Sequence, residues 1–291
     1  MKTINIISLT LLAGIVLFTA CTKEEPEFTN ANTPVEFKTT RPGVVAHAIK
    51  NWRDDFLSAA SLDAKWYLFG TPQPLWVSNA NGKFGLFDNN GRYPGGGYAI
   101  SKNTIGDKNG YTIESEVCID LENTRGAFIS PEIGVTRKPF VAVEPNTIEA
   151  GLSMKLMYIG TDVAGIPPVF QDHTYVVMSA LTEDGAINST NNNEGKMIYS
   201  GDYAFQTDFA DDGWHKVKIV VTPSQKVAFY LDGQLVWSPK EKVHSSLLKG
   251  KNLMLGYTSP GESGKAYHNY IQVSYPTPDE IGRLESENAG R

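Results

Sequence analysis

Two cysteines in 291 residues exclude a disulfide-scaffolded fold, so a hydrophobic core has to hold the chain together. Charge is also sparse: charged residues make up 20% of the chain and the net charge is −6, with no long basic run. The positive footprint that nucleic acid demands is therefore missing. Spacing-coded catalytic signatures are missing too. His47, His173, His215, His244 and His268 make no His-x-x-x-His pair of the kind that holds zinc. There is no Gly-x-Ser-x-Gly elbow, phosphate loop, dinucleotide fingerprint or EF-hand loop. Sustained helical periodicity and internal repeats are absent as well.

What is present is alternation. Val217, Ile219 and Val221 alternate with Lys216 and Lys218; Val227, Phe229 and Leu231 alternate with Ala228, Tyr230 and Asp232. The runs are joined by Thr222-Pro223-Ser224-Gln225 and followed by Asp232-Gly233, which predicts an antiparallel hairpin and a second turn. Further strands are expected at 75–77, 83–87, 111–122, 127–135, 148–159, 174–181, 197–199, 252–257 and 269–275. Short strands with turn punctuation predict an all-β, two-sheet antiparallel jelly-roll sandwich. Gly 27, Tyr 13 and Phe 13 suit its turns and faces.

The order Gly213-Trp214-His215, strand, turn, strand, Tyr230-Leu231-Asp232-Gly233-Gln234 resembles laminin-G-like members of the concanavalin A-like lectin/glucanase superfamily. Leu62-Asp63-Ala64-Lys65-Trp66 is similar to the opening of that superfamily. The resemblance spans Trp52 to Pro276 and implies a monomeric sandwich whose partner is a polysaccharide or oligosaccharide. It also makes calcium a candidate cofactor, through Asp88/Asn90, Asp107/Asn109 or Asp184/Asn188. It leaves the activity open, because function sits in sites grafted on folds.

Ahead of this domain, Met1-Lys2, the apolar run Ile4 to Phe18 and Thr19-Ala20-Cys21 read as a leader too short to span a bilayer, which takes about 20 residues. Leu17-Phe18-Thr19-Ala20-Cys21 resembles a bacterial lipobox, and Thr22-Lys23-Glu24-Glu25 resembles a lipoprotein surface-export signal. The expected organisation is a lipoprotein signal peptide over 1–20, acylated Cys21 and a flexible tether over 21–51, the sandwich over 52–276 and a loose polar tail over 277–291. The expected location is the outer membrane, lipid-anchored and facing outwards, with no other contact with the membrane. Cys118, inside a strand, is expected to be a small buried side chain with no intramolecular partner.

Two candidate sites follow. Glu114 and Glu116 stand on one face of a strand about 6.6–6.8 Å apart, a separation that an inverting glycosidase can use. With Asp120 they would carry glycoside hydrolase or polysaccharide lyase chemistry. The superfamily's Glu-x-Asp-x-x-Glu strand does not fit Glu114 to Glu122, however, and a solvated outer face explains the same stripe. The other site is a ligand edge formed by Trp76, Asp88, Asn90, Arg92 and Tyr93, where rings meet planar hydrogen-bonding groups. Capture of an extracellular glycan without cleavage is the expected function, and hydrolysis or lysis on the same scaffold is the alternative.

Overall fold

The computed structural model describes residues 51–69, 75–77, 83–86, 98–121, 128–138, 150–183, 187–189, 205–206, 213–256 and 265–286. In chain order the elements are β1 (Trp52–Asp54), α1 (Ala59–Lys65), β2 (Trp66–Phe69), β3 (Leu75–Val77), β4 (Lys83–Leu86), β5 (Tyr98–Ile105), β6 (Tyr111–Asp120), β7 (Phe128–Ile129), β8 (Glu132–Thr136) and β9 (Ala150–Ile159). They continue as β10 (His173–Leu181), β11 (Ile187–Ser189), β12 (Phe205–Gln206), β13 (Trp214–Val221), β14 (Val227–Leu231), β15 (Gln234–Trp237), β16 (Lys251–Gly256), β17 (Lys265–Ser274) and α2 (Pro278–Ser286).

An eight-stranded sheet runs β15-β14-β13-β6-β17-β4-β3, with β1 also on β17. A nine-stranded sheet runs β11-β10-β9-β8-β16-β5-β2, with β12 on β10 and β7 on β9. Every pairing among the described residues is antiparallel. The expected two-sheet antiparallel jelly-roll sandwich is borne out.

The core sits between the sheets because period two sends alternate side chains inward. Val217, Ile219, Val221, Val227 and Phe229 line the inner face of the eight-stranded sheet. Ile133, Val135, Leu152, Met154, Leu253 and Leu255 meet them from the nine-stranded sheet. Burying each such side chain contributes about 1.5–3 kcal/mol. The chain enters at β1, and Asp54 fixes that entry. Its carboxylate, 1% exposed, accepts from Trp66 Nε1 at 2.8 Å, Lys65 Nζ at 2.8 Å and Phe56 N at 3.2 Å.

Two expectations need correction. The run expected over 127–135 is divided between β7 and β8. The polar tail expected over 277–291 contains α2, whose Leu284 is 1% exposed and packs on Val220 and Ala228. Thr277 Oγ1 accepts from Glu280 N at 3.2 Å while Glu280 Oε2 accepts from Thr277 N at 2.7 Å, a reciprocal cap that starts the helix. The expected signal peptide and Cys21, residues 22–50 of the tether, and the strand expected at 197–199 lie outside the described residues.

Candidate functional site

Each sheet turns one face inward and one outward, although β8 and β16 of the nine-stranded sheet are buried along their whole length. On the eight-stranded sheet, strand register sets Glu114 beside Gln272 and Lys218, and Glu116 beside Tyr270 and Lys216. Glu114 Oε1 accepts from Tyr270 Oη at 2.7 Å, and Glu116 Oε2 accepts from Asn269 Nδ2 at 3.0 Å. Arg53 covers the Tyr270 ring, its guanidinium carbon 4.0 Å from the ring centre, and donates to Gln272 Oε1 at 3.0 Å. Lys216 stands 3.8 Å from Glu114 and is half exposed, a pair that contributes little. Burial, then the Glu114 hydrogen bond, pushes the Tyr270 hydroxyl well above its usual range. Burial and the charge of Asp120 push Tyr267 up to about 12.

This face therefore brings Glu114, Glu116 and Asp120 onto one surface, as expected, but the two glutamates already serve as acceptors in a cross-strand network. The network continues inward. Ser115 donates to Tyr270 O at 2.6 Å, so its single proton is used, and His268 Nδ1, 3.1 Å from Ser115 Oγ, is the donor in that contact. Burial holds the His268 imidazole down to about 3 and therefore neutral.

Of the second expected site, Trp76 lies on β3 and pairs with Phe84, while Asp88, Asn90, Arg92 and Tyr93 lie outside the described residues. Among the calcium candidates, Asp107 turns its oxygens to protein donors: Oδ1 accepts from Asn109 N at 2.7 Å and Oδ2 from Tyr275 Oη at 2.7 Å. No group of three metal-ligating side chains is present among the described residues. Cys118 is wholly buried and is bridged rather than free, which corrects the expectation that it lacks a partner. The chain's one other cysteine is Cys21. One sulfur carries an acyl thioether or a disulfide, not both, so acylation of Cys21 and this bridge are alternatives.

No family model matches the chain, and no curated relative matches it. Solved structures do. A Bacillus licheniformis beta-glucanase aligns at TM-score 0.49 and 12% identity over 79% of this chain and 100% of its own. The potassium-bound carbohydrate recognition domain of Emp46p aligns at TM-score 0.47 and 10% identity, over 76% of this chain and 94% of its own. A carbohydrate esterase of a Shiga toxin-encoding bacteriophage aligns at TM-score 0.47 and 11% identity over 80% of this chain and 100% of its own. Likenesses at this level supply no argument about activity, which has to come from the chain's own side chains.

Those side chains point to the other outer surface. Since Ile133, Val135, Leu152, Met154, Leu253 and Leu255 face the core, alternation turns Glu132, Gly134, Ser153, Lys155, Met254 and Gly256 outwards. One row across the nine-stranded sheet reads Tyr98, Gly256, Glu132, Lys155, Val177; the next reads Ile100, Met254, Gly134, Ser153, Ser179. At one side Tyr98, Ile100 and Met254 form an apolar patch with Tyr67. At the other, Met157 and Tyr175 pack with Val163, Ile166 and Phe170 of the loop after β9. Gln171 clamps that loop through Val163 N at 3.1 Å, Val163 O at 3.1 Å and Ile166 O at 2.6 Å. Tyr158 Oη donates to Asp172 Oδ1 at the loop's end.

Between the patches lies a polar strip. Ser153 and Ser179 share a hydrogen bond at 2.9 Å. Glu132 is 1% exposed, yet among the described residues no group donates to its Oε2. Lys155 Nζ approaches that oxygen to 3.6 Å, a charge contact too long for a hydrogen bond. Sequence reasoning missed this pair. The available signal was the polar stripe Glu132-Gly134-Thr136 and Ser153-Lys155 inside strands whose alternate positions are Ile, Val, Leu and Met.

Proposed function

We propose that the chain captures an extracellular glycan, without cleaving it, on the outward face of the nine-stranded sheet around Glu132. The observation that carries this reading is the buried Glu132 oxygen that lacks a donor. A buried acceptor left unmade costs about 1–3 kcal/mol, and more when charged, so it is kept where something else makes use of it. Sugars supply hydroxyl donors on rings with apolar C–H faces. The polar strip lies between two buried apolar clusters, and Tyr67, partly exposed at the edge of one of them, is the ring that a sugar face can meet.

Capture is favoured over hydrolysis because glycosidases work with two carboxyl groups about 5–9.5 Å apart. On the two register rows through and beside Glu132, the described residues include no second Asp or Glu. Glu114 and Glu116 supply a pair, but on the opposite surface and already hydrogen-bonded. Retention on polysaccharide affinity gels by the acyl-free chain (Cys21→Ser) tests the proposal. Retention without product release, lost in Glu132→Gln and kept in Glu116→Gln, supports it. Product formation abolished by Glu116→Gln would move the function to the other sheet and make it an enzyme.

We also propose, as the alternative to the Cys118 bridge, an outer-membrane chain that faces outwards and is held by acylated Cys21; the lipobox spacing is what supports it. Mass spectrometry of the mature N-terminus tests this together with a thiol count in denaturant. An acylated chain shows the mass of its acyl groups and one titratable thiol, from Cys118. A bridged chain shows neither, and that outcome removes the anchor without touching the glycan site.

A further inference from the structure

The strands of the two sheets end together at opposite poles of the sandwich, and charge is divided between those poles. At one pole β6 ends at Asp120, the loop after β9 carries Asp162 and Asp172, and the turn between β14 and β15 carries Asp232. Among the described residues Lys265, at the start of β17, is the lysine that stands with them. The other pole is where the chain enters, since Trp52 pairs with Val273 near the end of β17. Three segments meet beside that entry. The turn 106–110 is tied to the end of β17 by Tyr275 Oη, which donates to Asp107 Oδ2 at 2.7 Å. The segment 248–251 is tied to β5 by Gly250 N, which donates to Ile105 O at 3.1 Å. Residues 136–138 are tied to that segment by Lys251, 5% exposed, whose Nζ donates to Arg137 O at 2.8 Å. At their tips stand Lys108, Lys249 and Lys138, all exposed. Asp107 is the only acid on the three segments, and its oxygens accept from Tyr275 and Asn109. The adjoining loops add Lys226, Lys240 and Lys242 but also Glu183 and Glu241, close to balance.

We propose that this corner is a docking surface for the anionic phosphate headgroups of a membrane, with Lys108, Lys138 and Lys249 as its contacts. The choice of a membrane rests on the anchored reading above and goes beyond it, because a lipid anchor alone leaves the domain free to tumble. A flexible chain as long as residues 22–51 spans about 30 Å between its ends, which keeps a domain entered at this pole close to the bilayer. Each lysine at an anionic surface contributes about fivefold in affinity, the three together about a hundredfold. The aspartate pole is repelled by the same surface, so the two poles favour one orientation. The row through Glu132 includes Tyr98, the first residue of β5, and Gly256, the last of β16, and lies towards the aspartate pole. Docking by the lysines therefore turns that row away from the lipid.

The test is co-sedimentation of the mature acyl-free chain (Cys21→Ser, leader removed) with vesicles of phosphatidylcholine alone and of phosphatidylcholine mixed with phosphatidylglycerol. The expected result is at least tenfold tighter binding to the anionic vesicles at low salt, lost at about 0.5 M salt, where screening is short-ranged. Lys108→Gln, Lys138→Gln and Lys249→Gln combined remove it. Lys216→Gln, Lys240→Gln and Lys242→Gln combined change the net charge equally and leave it unchanged, with circular dichroism melts showing both chains folded. Equal binding to neutral vesicles, equal loss in the two triple variants, or no vesicle binding would each overturn the docking surface. Retention on chondroitin sulfate gels without vesicle binding would overturn it too and make the corner a polyanion site. The chain tested carries no acyl group, so these outcomes and the mass of the mature N-terminus fail separately.

Discussion

Replacing Glu132 and Lys155 together by methionine is expected to stabilise the fold while abolishing glycan capture. The pair lies on the outward face of the nine-stranded sheet, 3.6 Å apart, with one carboxylate oxygen lacking a donor. Exchanging a buried ion pair for apolar side chains of similar size typically stabilises by about 1–4 kcal/mol. Lys155 is partly open to water, which screens the pair and places the expectation at the lower end, about 1–2 kcal/mol. For a domain of this length that corresponds to a rise in Tm of about 2–8 °C. The single variant Glu132→Met withdraws the carboxylate from a mostly buried lysine, so it is expected to fall below the double variant, a coupling that a double-mutant cycle reads directly. Differential scanning calorimetry and urea melts of the four chains supply the numbers, and affinity gels supply the function. A double variant less stable than wild type by more than about 1 kcal/mol, yet still retained on glycan gels, would show that the pair is a structural element and refute the reasoning.

Four further outcomes follow from other parts of the fold. Gly110, at φ +75°, sits where a Cβ would come 2.1 Å from Val221 O, so Gly110→Ala is expected to lower stability by more than the usual 1 kcal/mol of a point variant; a urea midpoint within error of wild type would contradict this. His268 has a folded-state pKa held well below its ordinary 6.5 by burial, so the unfolded chain binds the extra proton as pH drops. Stability is therefore expected to decline by up to about 1.4 kcal/mol per pH unit from about pH 6 down towards 4, and His268→Asn removes that increment of the slope. Leu284→Ala is expected to cost about 2–3 kcal/mol and to loosen α2, read as faster amide exchange over 278–286. Burial raises the pKa of Glu280, but Lys218 and Thr277 outweigh it and hold the group below 4.5, so docking of α2 weakens as acid protonates it.

The hairpin was legible because local rules agree there. Alternating Val217, Ile219 and Val221, a four-residue turn and Asp232-Gly233 all demand the same register, and β13, β14 and β15 follow. Strand ends were less legible where period two breaks. β17 begins at Lys265, four residues before the expected Asn269, because a bulge between His268 and Tyr270 shifts the alternation. α2 was missed because it shows only Ile281 and Leu284 as an apolar stripe, although Thr277-Pro278-Asp279-Glu280 spells a capping box with proline at the first helical position. Alternation put Glu114 and Glu116 on an outer face, but their partners Tyr270 and Asn269 lie 156 and 153 residues away and no local pattern announces them. Glu132 was hidden for the reverse reason: its strand is buried on both faces, so its polar stripe looked like an interruption of a core strand.

The way the chain joins the fold also has a mechanical side. Any pull applied ahead of residue 52 enters through β1, which is held to β17 by the three facing pairs Trp52↔Val273, Arg53↔Gln272 and Asp54↔Ile271. Behind that short zipper, the Asp54 carboxylate pins the strand to Trp66 and Lys65. Drag on a polymer held against the opposite sheet would therefore load this corner first.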